Sequence, residues 1–152
     1  MADKSLSYVL ANVSEDVIDT VTTQMKSRAE RATHQLRNAK IEVMRGSRSG
    51  RVYRIPSTGA TYRASAPGEP PAKRTGAFSS SMRRASYAEG SGKNLTVHAM
   101  LESRLKVGGA KKVLLGAILE EGTNKMAPRP YKEAILEKAK PKITKIFKEP
   151  YL

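Results

Sequence analysis

The sequence contains no cysteine and no tryptophan, and aromatic residues make up only 5% of its 152 residues. The absence of cysteine excludes disulfide bonds and thiolate metal ligands. No apolar run approaches the roughly 18 residues that a membrane-spanning helix needs, so we predict no membrane partner. Residues 1–16 have no long apolar stretch and no small-residue cleavage site, and we therefore predict no signal peptide.

Acidic residues are also scarce, since 14 Asp and Glu accompany 28 Lys and Arg and leave a net charge of +14. A cation of this size favours polyanionic partners such as nucleic acid or an acidic protein surface. The length fits a single domain, residues 1–152, that can bury roughly 68–70% of its unfolded surface. Because only 39% of the residues are apolar, we expect a modest core of Val, Ile, Leu, Ala and Met.

Residues that could carry chemistry are few and poorly placed. The segment YAEGSGKN, residues 87–94, has the look of a phosphate-binding loop. However, Tyr87 stands where that pattern requires its first glycine, and Asn94 stands where it requires a magnesium-binding Ser or Thr. The two histidines, His34 and His98, can form neither a metal cluster nor a catalytic triad. We therefore predict a protein that is not an enzyme and that has no catalytic residue, no metal site and no cofactor.

Residues 14–44 predict one long helix. Ser14 suits an N-cap, Glu15 and Asp16 suit the positive end of the helix dipole, and Gly46 follows the end of the pattern. Mostly apolar residues recur at helical spacing and form one thin stripe. They are Val13, Val17, Val21, Met25, Arg28/Ala29, Ala32, Leu36, Ala39 and Val43. We expect such a helix to lie along a larger surface.

Residues 45–76 predict a basic hairpin arm followed by a proline-rich linker. The short runs RVYRI and ATYRA, roughly 51–55 and 60–64, flank the turn-forming PSTG. We expect Tyr53 and Tyr62 to pack across this hairpin. Its apolar content is too low for independent stability, so we predict that it projects as an arm or lies on another surface. SAPGEPPAKRTG should then favour an extended, polyproline-like chain.

Residues 77–152 predict a sheet and a C-terminal helix. A short helical turn capped by Thr75 should precede strands at MRRASYAEG and NLTVHAML and a central strand over 112–119. The last helix should start at Tyr131, and Pro141 should kink or split it. Its inward stripe is Tyr131, Ile135, Ala139, Ile143 and Ile146. For the C-terminal Tyr151 and Leu152, docking on a partner and fraying remain alternatives.

These elements predict an α+β domain. It should combine a long N-terminal helix, an antiparallel sheet of about four strands, a projecting β-hairpin arm and a C-terminal helix packed on the sheet.

Two ordered motifs resemble a known family. They are YRASAPGEPPAKRTGAFSSSM at 62–82, and LEEGT at 119–123 followed by Pro130-Tyr131. Both are similar to motifs of the small neck or tail-completion proteins of long-tailed bacteriophages, and the resemblance covers about residues 50–137. The chain departs from the family at Glu121, where an aromatic residue is usual, and at Lys73-Arg74, where a less basic pair is common.

The resemblance implies a structural virion protein that is made in the host bacterial cytoplasm and forms a ring at the head–tail junction. Such a ring belongs to the head–tail connector and joins the capsid to the tail around the DNA channel. The implied partners are copies of the chain itself in a closed ring, adjacent head-closure and tail-terminator or tail-tube proteins, and double-stranded DNA bound without sequence preference. The symmetry of the tail tube implies a hexamer. One alternative is a small basic cellular nucleic-acid-binding protein, similar to ribosome-associated ones, and another is a phage tail terminator or head-closure protein.

Two sets of residues are candidates for contact with these partners. Three interpretations of the basic set remain open, namely a solvated face, a surface that docks on acidic neighbours, and a lining for the DNA channel. The basic set is Arg45, Arg48, Arg51, Arg54, Arg63, Lys73 and Arg74. The second set is a candidate ring-interface corner of Glu120, Glu121, Gly122, Thr123, Pro128, Pro130 and Tyr131. An ordinary strand-to-helix connection accounts for the same corner, in which Gly122 should adopt positive φ.

Overall fold

A computed structural model describes residues 6–109 and 112–151 and has the predicted α+β architecture. Its helices are α1 (Leu6–Arg45), α2 (Ala77–Ser81), α3 (Leu115–Glu121) and α4 (Lys132–Phe147). Its strands are β1 (Val52–Arg54), β2 (Thr61–Arg63), β3 (Met82–Glu89), β4 (Thr96–Ser103), β5 (Lys106–Val107) and β6 (Val113–Leu114). A 3-10 turn, Gly92–Asn94, connects β3 to β4.

The core lies where the C-terminal half of α1 meets α4 and the β3–β4 hairpin. From α1 it takes Leu36, Ala39, Val43 and Met44, and these pack with Met82, Tyr131, Ile135 and Ala139. The predicted inward stripe of α4 is confirmed, since Ile146 is also buried and Ile143 packs against the core. The predicted stripe of α1 is confirmed only from Arg28 and Ala29 onward.

The N-terminal half of α1 lies outside the core. Val13 and Val17 are 54% and 40% exposed, so the first part of the predicted stripe has no cover within the described chain. The helix also begins at Leu6, and the predicted N-cap at Ser14 is wrong. The Ser14 hydroxyl instead donates to the Ala11 carbonyl at 2.7 Å, as a serine inside a helix commonly does.

The strands of the described residues form three separate two-stranded antiparallel ladders, β1–β2, β3–β4 and β5–β6. The predicted hairpin arm is confirmed, with Val52 opposite Arg63 and Arg54 opposite Thr61. The two eight-residue strands β3 and β4 form the longest ladder, and Ala99 and Leu101 of β4 pack against the core. The strands therefore do not join into the single predicted sheet of about four strands.

The predicted central strand at 112–119 is wrong. Only Val113 and Leu114 pair as a strand, and Leu115–Glu121 forms α3. A short, uniformly apolar run fits a buried strand and a buried helix equally well by periodicity. Here α3 presents the buried Gly116 to the Tyr131 side chain, and this tertiary contact favours the helix.

Helix α4 begins at Lys132, directly after Pro128 and Pro130, and continues through Pro141 to Phe147. The predicted split at Pro141 is therefore wrong. Proline removes one backbone donor from a helix, but Pro141 lies on the exposed side. The buried contacts of Ile135, Ala139 and Ile146 on either side of it keep the helix continuous.

No helix within residues 6–109 and 112–151 combines the length with the apolar run that crossing a bilayer would require.

Candidate functional site

The β1–β2 arm has one aromatic face and one basic face. Tyr53 and Tyr62 are directly opposite each other and stack with ring centroids 5.8 Å apart, as predicted. Successive side chains of a strand point to opposite faces. Arg54 and Arg63 therefore lie on the face away from the tyrosines, and both are exposed. The arm can thus present stacking groups on one side and positive charge on the other.

The base of the arm is fixed by the Glu69 carboxylate. It accepts hydrogen bonds from the Ser49 hydroxyl at 2.6 Å, the Ser49 amide at 3.1 Å and the Ala66 amide at 2.8 Å. These donors stabilise the charged form and lower the pKa of Glu69 to about 2, with the Ser49 hydroxyl contributing most. Because Ser49 precedes β1 and Ala66 follows β2, one side chain joins the two ends of the arm.

Arg48 and Arg129 attach this base to the rest of the domain. The Arg48 guanidinium donates to the carbonyls of Val43, at 2.8 Å, and Pro71, at 3.1 Å. Burial lowers its pKa, although an arginine remains protonated at neutral pH. Arg129 donates to the Ser65 carbonyl at 2.7 Å. The sequence did not identify Arg129 and Glu69 as anchors, because only the fold brings their partners together. These partners are the Ser65 carbonyl for Arg129, and the Ser49 hydroxyl with the Ser49 and Ala66 amides for Glu69.

The seven predicted basic residues do not form one surface. Arg48 is half-buried, and its guanidinium already donates to the carbonyls of Val43 and Pro71. Arg51, Arg54 and Arg63 belong to the arm, and the Arg51 guanidinium lies 6.0 Å from the centre of the Tyr53 ring. Lys73 and Arg74 are exposed beside an apolar groove, and Arg45 is exposed at the end of α1.

The predicted corner at 119–131 is held largely by contacts within the chain. Glu120 accepts hydrogen bonds from the amides of Tyr131 and Lys132, at 3.2 and 3.4 Å, and so caps the first turn of α4. Gly122 has φ +77°, as predicted. A Cβ there would lie 2.8 Å from both the Met126 carbonyl oxygen and the Pro128 nitrogen, so only glycine fits this turn.

Tyr131 locks the corner to the core. It is 6% exposed, and its ring meets Phe78 edge-to-face at 5.2 Å. Burial, together with the nearby Glu120 carboxylate, raises the pKa of the Tyr131 hydroxyl. Among the predicted corner residues, Glu121, Thr123 and Pro128 are exposed and remain available to a neighbouring chain.

The C-terminal segment packs on α1, a contact that is not evident from the sequence. Arg28 is 3% exposed and donates to the Pro150 carbonyl at 2.6 Å, while its guanidinium lies 3.7 Å from the centre of the Tyr151 ring. Arg31 forms a salt bridge with Glu149, which raises the pKa of Arg31 and lowers that of Glu149. Tyr151 thus docks within its own chain, and Leu152 lies outside the described residues.

A cavity of about 700 Å³ between α1 and the far end of β3–β4 includes Asp19 and Glu30 in its lining. These carboxylates are eleven positions apart on one helix, or about 16 Å along its axis at 1.5 Å per residue, which is too far for a shared acid–base step. The described ranges contain no cluster of three or more His, Asp or Glu suited to a metal ion. His34 accepts a hydrogen bond from Arg84 at 2.8 Å, and His98 stacks on Tyr87.

Comparison with protein-family models, with curated proteins and with solved structures finds no match to this chain.

Proposed function

We propose that this chain is a structural virion protein, a ring-forming neck or tail-completion component of a phage head–tail connector. The observation that carries the proposal is the β1–β2 arm, which is fixed at its base and whose two outer edges pair with no other strand of residues 6–109 and 112–151. The resemblance of residues 62–82 and 119–131 to that family supports the phage context. In this role the protein joins the capsid to the tail mechanically, around the DNA channel, and carries out no reaction.

The arm suits assembly because a single chain leaves it incomplete. Its strands have three residues each, and within the described residues each pairs only with the other. An isolated two-stranded hairpin is marginally stable in water. Its free edges can accept a strand from a neighbour, which adds main-chain hydrogen bonds. The hydrogen bonds of Glu69 to Ser49 and Ala66, together with those of Arg48, hold the base of the arm in place. Less conformational entropy is therefore lost when the arm docks.

The size and shape of the assembly test the proposal. Sedimentation of the purified full-length chain, followed by negative-stain electron microscopy, should show closed rings, and antibody labelling should place the chain at the head–tail junction of the phage particle. A monomer that binds RNA tightly at low salt would support the cellular nucleic-acid-binding alternative instead. Labelling at the tail tube end or at the capsid portal would favour the tail terminator or head-closure alternative.

Amide exchange tests the arm separately. We expect residues 50–65 to exchange quickly in the monomer and slowly in the ring, because neighbouring chains then supply hydrogen bonds to the free edges. Residues 132–147 of α4 serve as an internal control, since their protection should be similar in both forms. Equal protection of the arm in both forms would refute its role in assembly.

The basic face of the arm predicts weak, salt-dependent binding to double-stranded DNA without sequence preference. The binding constant for DNA falls as salt rises, with a slope of log K against log salt of about −0.9 per phosphate contact. If Arg54 and Arg63 contact phosphates, R54Q/R63Q should make this slope less steep by about 2. The matched control is K140Q/K142Q, which removes the same charge from the exposed side of α4. Equal slopes for the two double variants would show that net charge alone, and no arm contact, drives binding.

A further inference from the structure

The N-terminal half of α1 carries an uncovered apolar face together with a local charge opposite to that of the rest of the chain. Val9, Leu10, Val13, Val17 and Ile18 are 43%, 58%, 54%, 40% and 45% exposed. The sequence from residue 5 to residue 25 contains three acidic residues and no Lys or Arg, although the whole chain has a net charge of +14. This half of the helix therefore suits a partner surface that is apolar at its centre and basic at its edge.

The same chain presents a surface of that kind. An apolar groove of about 210 Å³ lies between the C-terminal end of α1, the linker and α3. Met44, Phe78, Leu105, Leu115 and Leu119 line it, and Lys73 and Arg74 stand at its edge. A cavity of about 150 Å³ lined by Leu, Ile and Phe side chains can hold a benzene ring, so this groove has room for a side chain such as leucine.

The helix face cannot reach the groove of its own molecule. Leu10 and Met44 belong to one continuous helix and are separated by 34 positions, or about 51 Å at 1.5 Å per residue. An occupant of the groove that comes from α1 must therefore belong to another copy. Symmetric pairing of two N-terminal halves is disfavoured, because it would bring like charges together with no base to neutralise them.

We propose that the N-terminal half of α1 of one copy docks in this groove of the next copy, with Glu15 and Asp16 facing Lys73 and Arg74. At about 100° per residue, Asp16 borders the apolar face, and Glu15 lies farther round the helix on its polar side. The contact joins two different surfaces of the same chain. Such head-to-tail contacts generate closed rings or filaments, so the inference rests on the self-assembly proposed above and names its interface.

Crosslinking tests the contact directly, because the native sequence has no cysteine to interfere. Val13 is exposed and Ala72 lines the groove, so V13C and A72C should leave the fold intact. Mixing the two single variants with a short bismaleimide should give a crosslinked dimer. V13C alone should give none, and neither should V13C mixed with S57C, which places the thiol in the exposed turn of the arm.

Charge reversal gives an independent readout. Exposed ion pairs are individually weak, but reversing two at once, as in E15K/D16K or in K73E/R74E, should weaken self-association about tenfold by sedimentation. A chain that carries both reversals restores the pairing and should return to within about threefold of the original affinity.

The outcomes separate this inference from the proposed function. A V13C–A72C crosslink together with rescue by the combined reversal supports the interface. Rings that form without the V13C–A72C crosslink, or with a V13C–V13C crosslink instead, overturn this interface and leave the ring standing. A chain that stays monomeric at every concentration overturns both.

Discussion

The contact between Gly116 and Tyr131 makes a sharp test of how α3 is held. A Cβ at position 116 would lie 2.6 Å from the Tyr131 hydroxyl and 3.6 Å from the Phe78 ring. Tyr131 is buried and wedged against Phe78, so it cannot move aside freely. Overpacking a core typically costs about 1–3 kcal/mol, while replacing glycine by alanine inside a helix gains about 1 kcal/mol. We therefore expect G116A to lower the free energy of unfolding by about 1 kcal/mol.

Thermal and urea unfolding measure this change, and a loss of about 1 kcal/mol corresponds to a Tm lower by about 2–4 °C. The matched control is G109A, because Gly109 has open space around it and no positive φ; it should be neutral or slightly stabilising. Tyr131→Phe removes the clashing oxygen, so G116A/Y131F should be at least as stable as Y131F alone. If G116A is as stable as the original chain, or if Y131F gives no rescue, this account of α3 packing is wrong.

Two further predictions concern charged groups that hold the ends of elements together. The pKa of Glu69 in the folded protein, about 2, lies below its ordinary 4.5, so the stabilisation it gives is complete above about pH 4.5 and is lost as the pH falls through about 2. NMR titration of the Ser49 and Ala66 amides should show a midpoint at the low pKa of Glu69, and S49A should raise that pKa. A midpoint near the ordinary glutamate pKa would show that these hydrogen bonds do not hold the Glu69 carboxylate. Replacing Arg28 by lysine keeps the charge but loses the forked donor and the stacking on Tyr151, so R28K should cost about 2 kcal/mol and speed amide exchange at 148–151. The control R31K should change little, because that ion pair is exposed, and equal effects of the two variants would show that Arg28 has no special role.

Where each side chain's environment is set by near neighbours in sequence, the sequence predicted the structure well. The stripe from Ala29 to Val43 and the stripe from Tyr131 to Ile146 identify the buried faces of α1 and α4. The turn residues of PSTG predict the arm to within about one residue, and the constraint on Gly122 follows from its position after an apolar run.

The errors arise where tertiary contacts decide between local alternatives. The run at 112–119 has no periodicity, and the fit of Gly116 against Tyr131 selects a helix. Pro141 is tolerated because the buried residues around it anchor α4. Ser14 lies inside α1, where its hydroxyl bonds to the backbone of the preceding turn, and cap-like residues occur inside helices as well as at their ends.

The candidate contact surfaces were harder to predict, because a charge count does not say which cations face outward. Arg48 is one of the predicted contact residues and Arg28 belongs to the predicted stripe of α1, yet the guanidinium groups of both donate to backbone carbonyls. Arg54 and Arg63 are exposed, although Arg63 also donates to the Gly50 carbonyl at 3.3 Å, so burial and not carbonyl bonding alone separates the two groups. The sequence therefore predicts a basic segment, but it does not divide that segment into residues that bind the backbone and residues that stay exposed.

The N-terminal half of α1 and the β1–β2 arm both lack a covering layer within the described residues. The N-terminal half of α1 continues the helical spacing of the buried half, but nothing in the described chain covers its apolar side chains. Most helical stability in proteins comes from packing of an apolar face, and a short helix without such packing is marginal in water. The β1–β2 arm is marginal for the corresponding reason, since a two-stranded hairpin lacks a third strand or a supporting layer. Both elements would gain stability if another surface covered them. For the acidic N-terminal half of α1, the interface proposed above would supply that cover from the apolar groove of a second copy, with Lys73 and Arg74 at its edge.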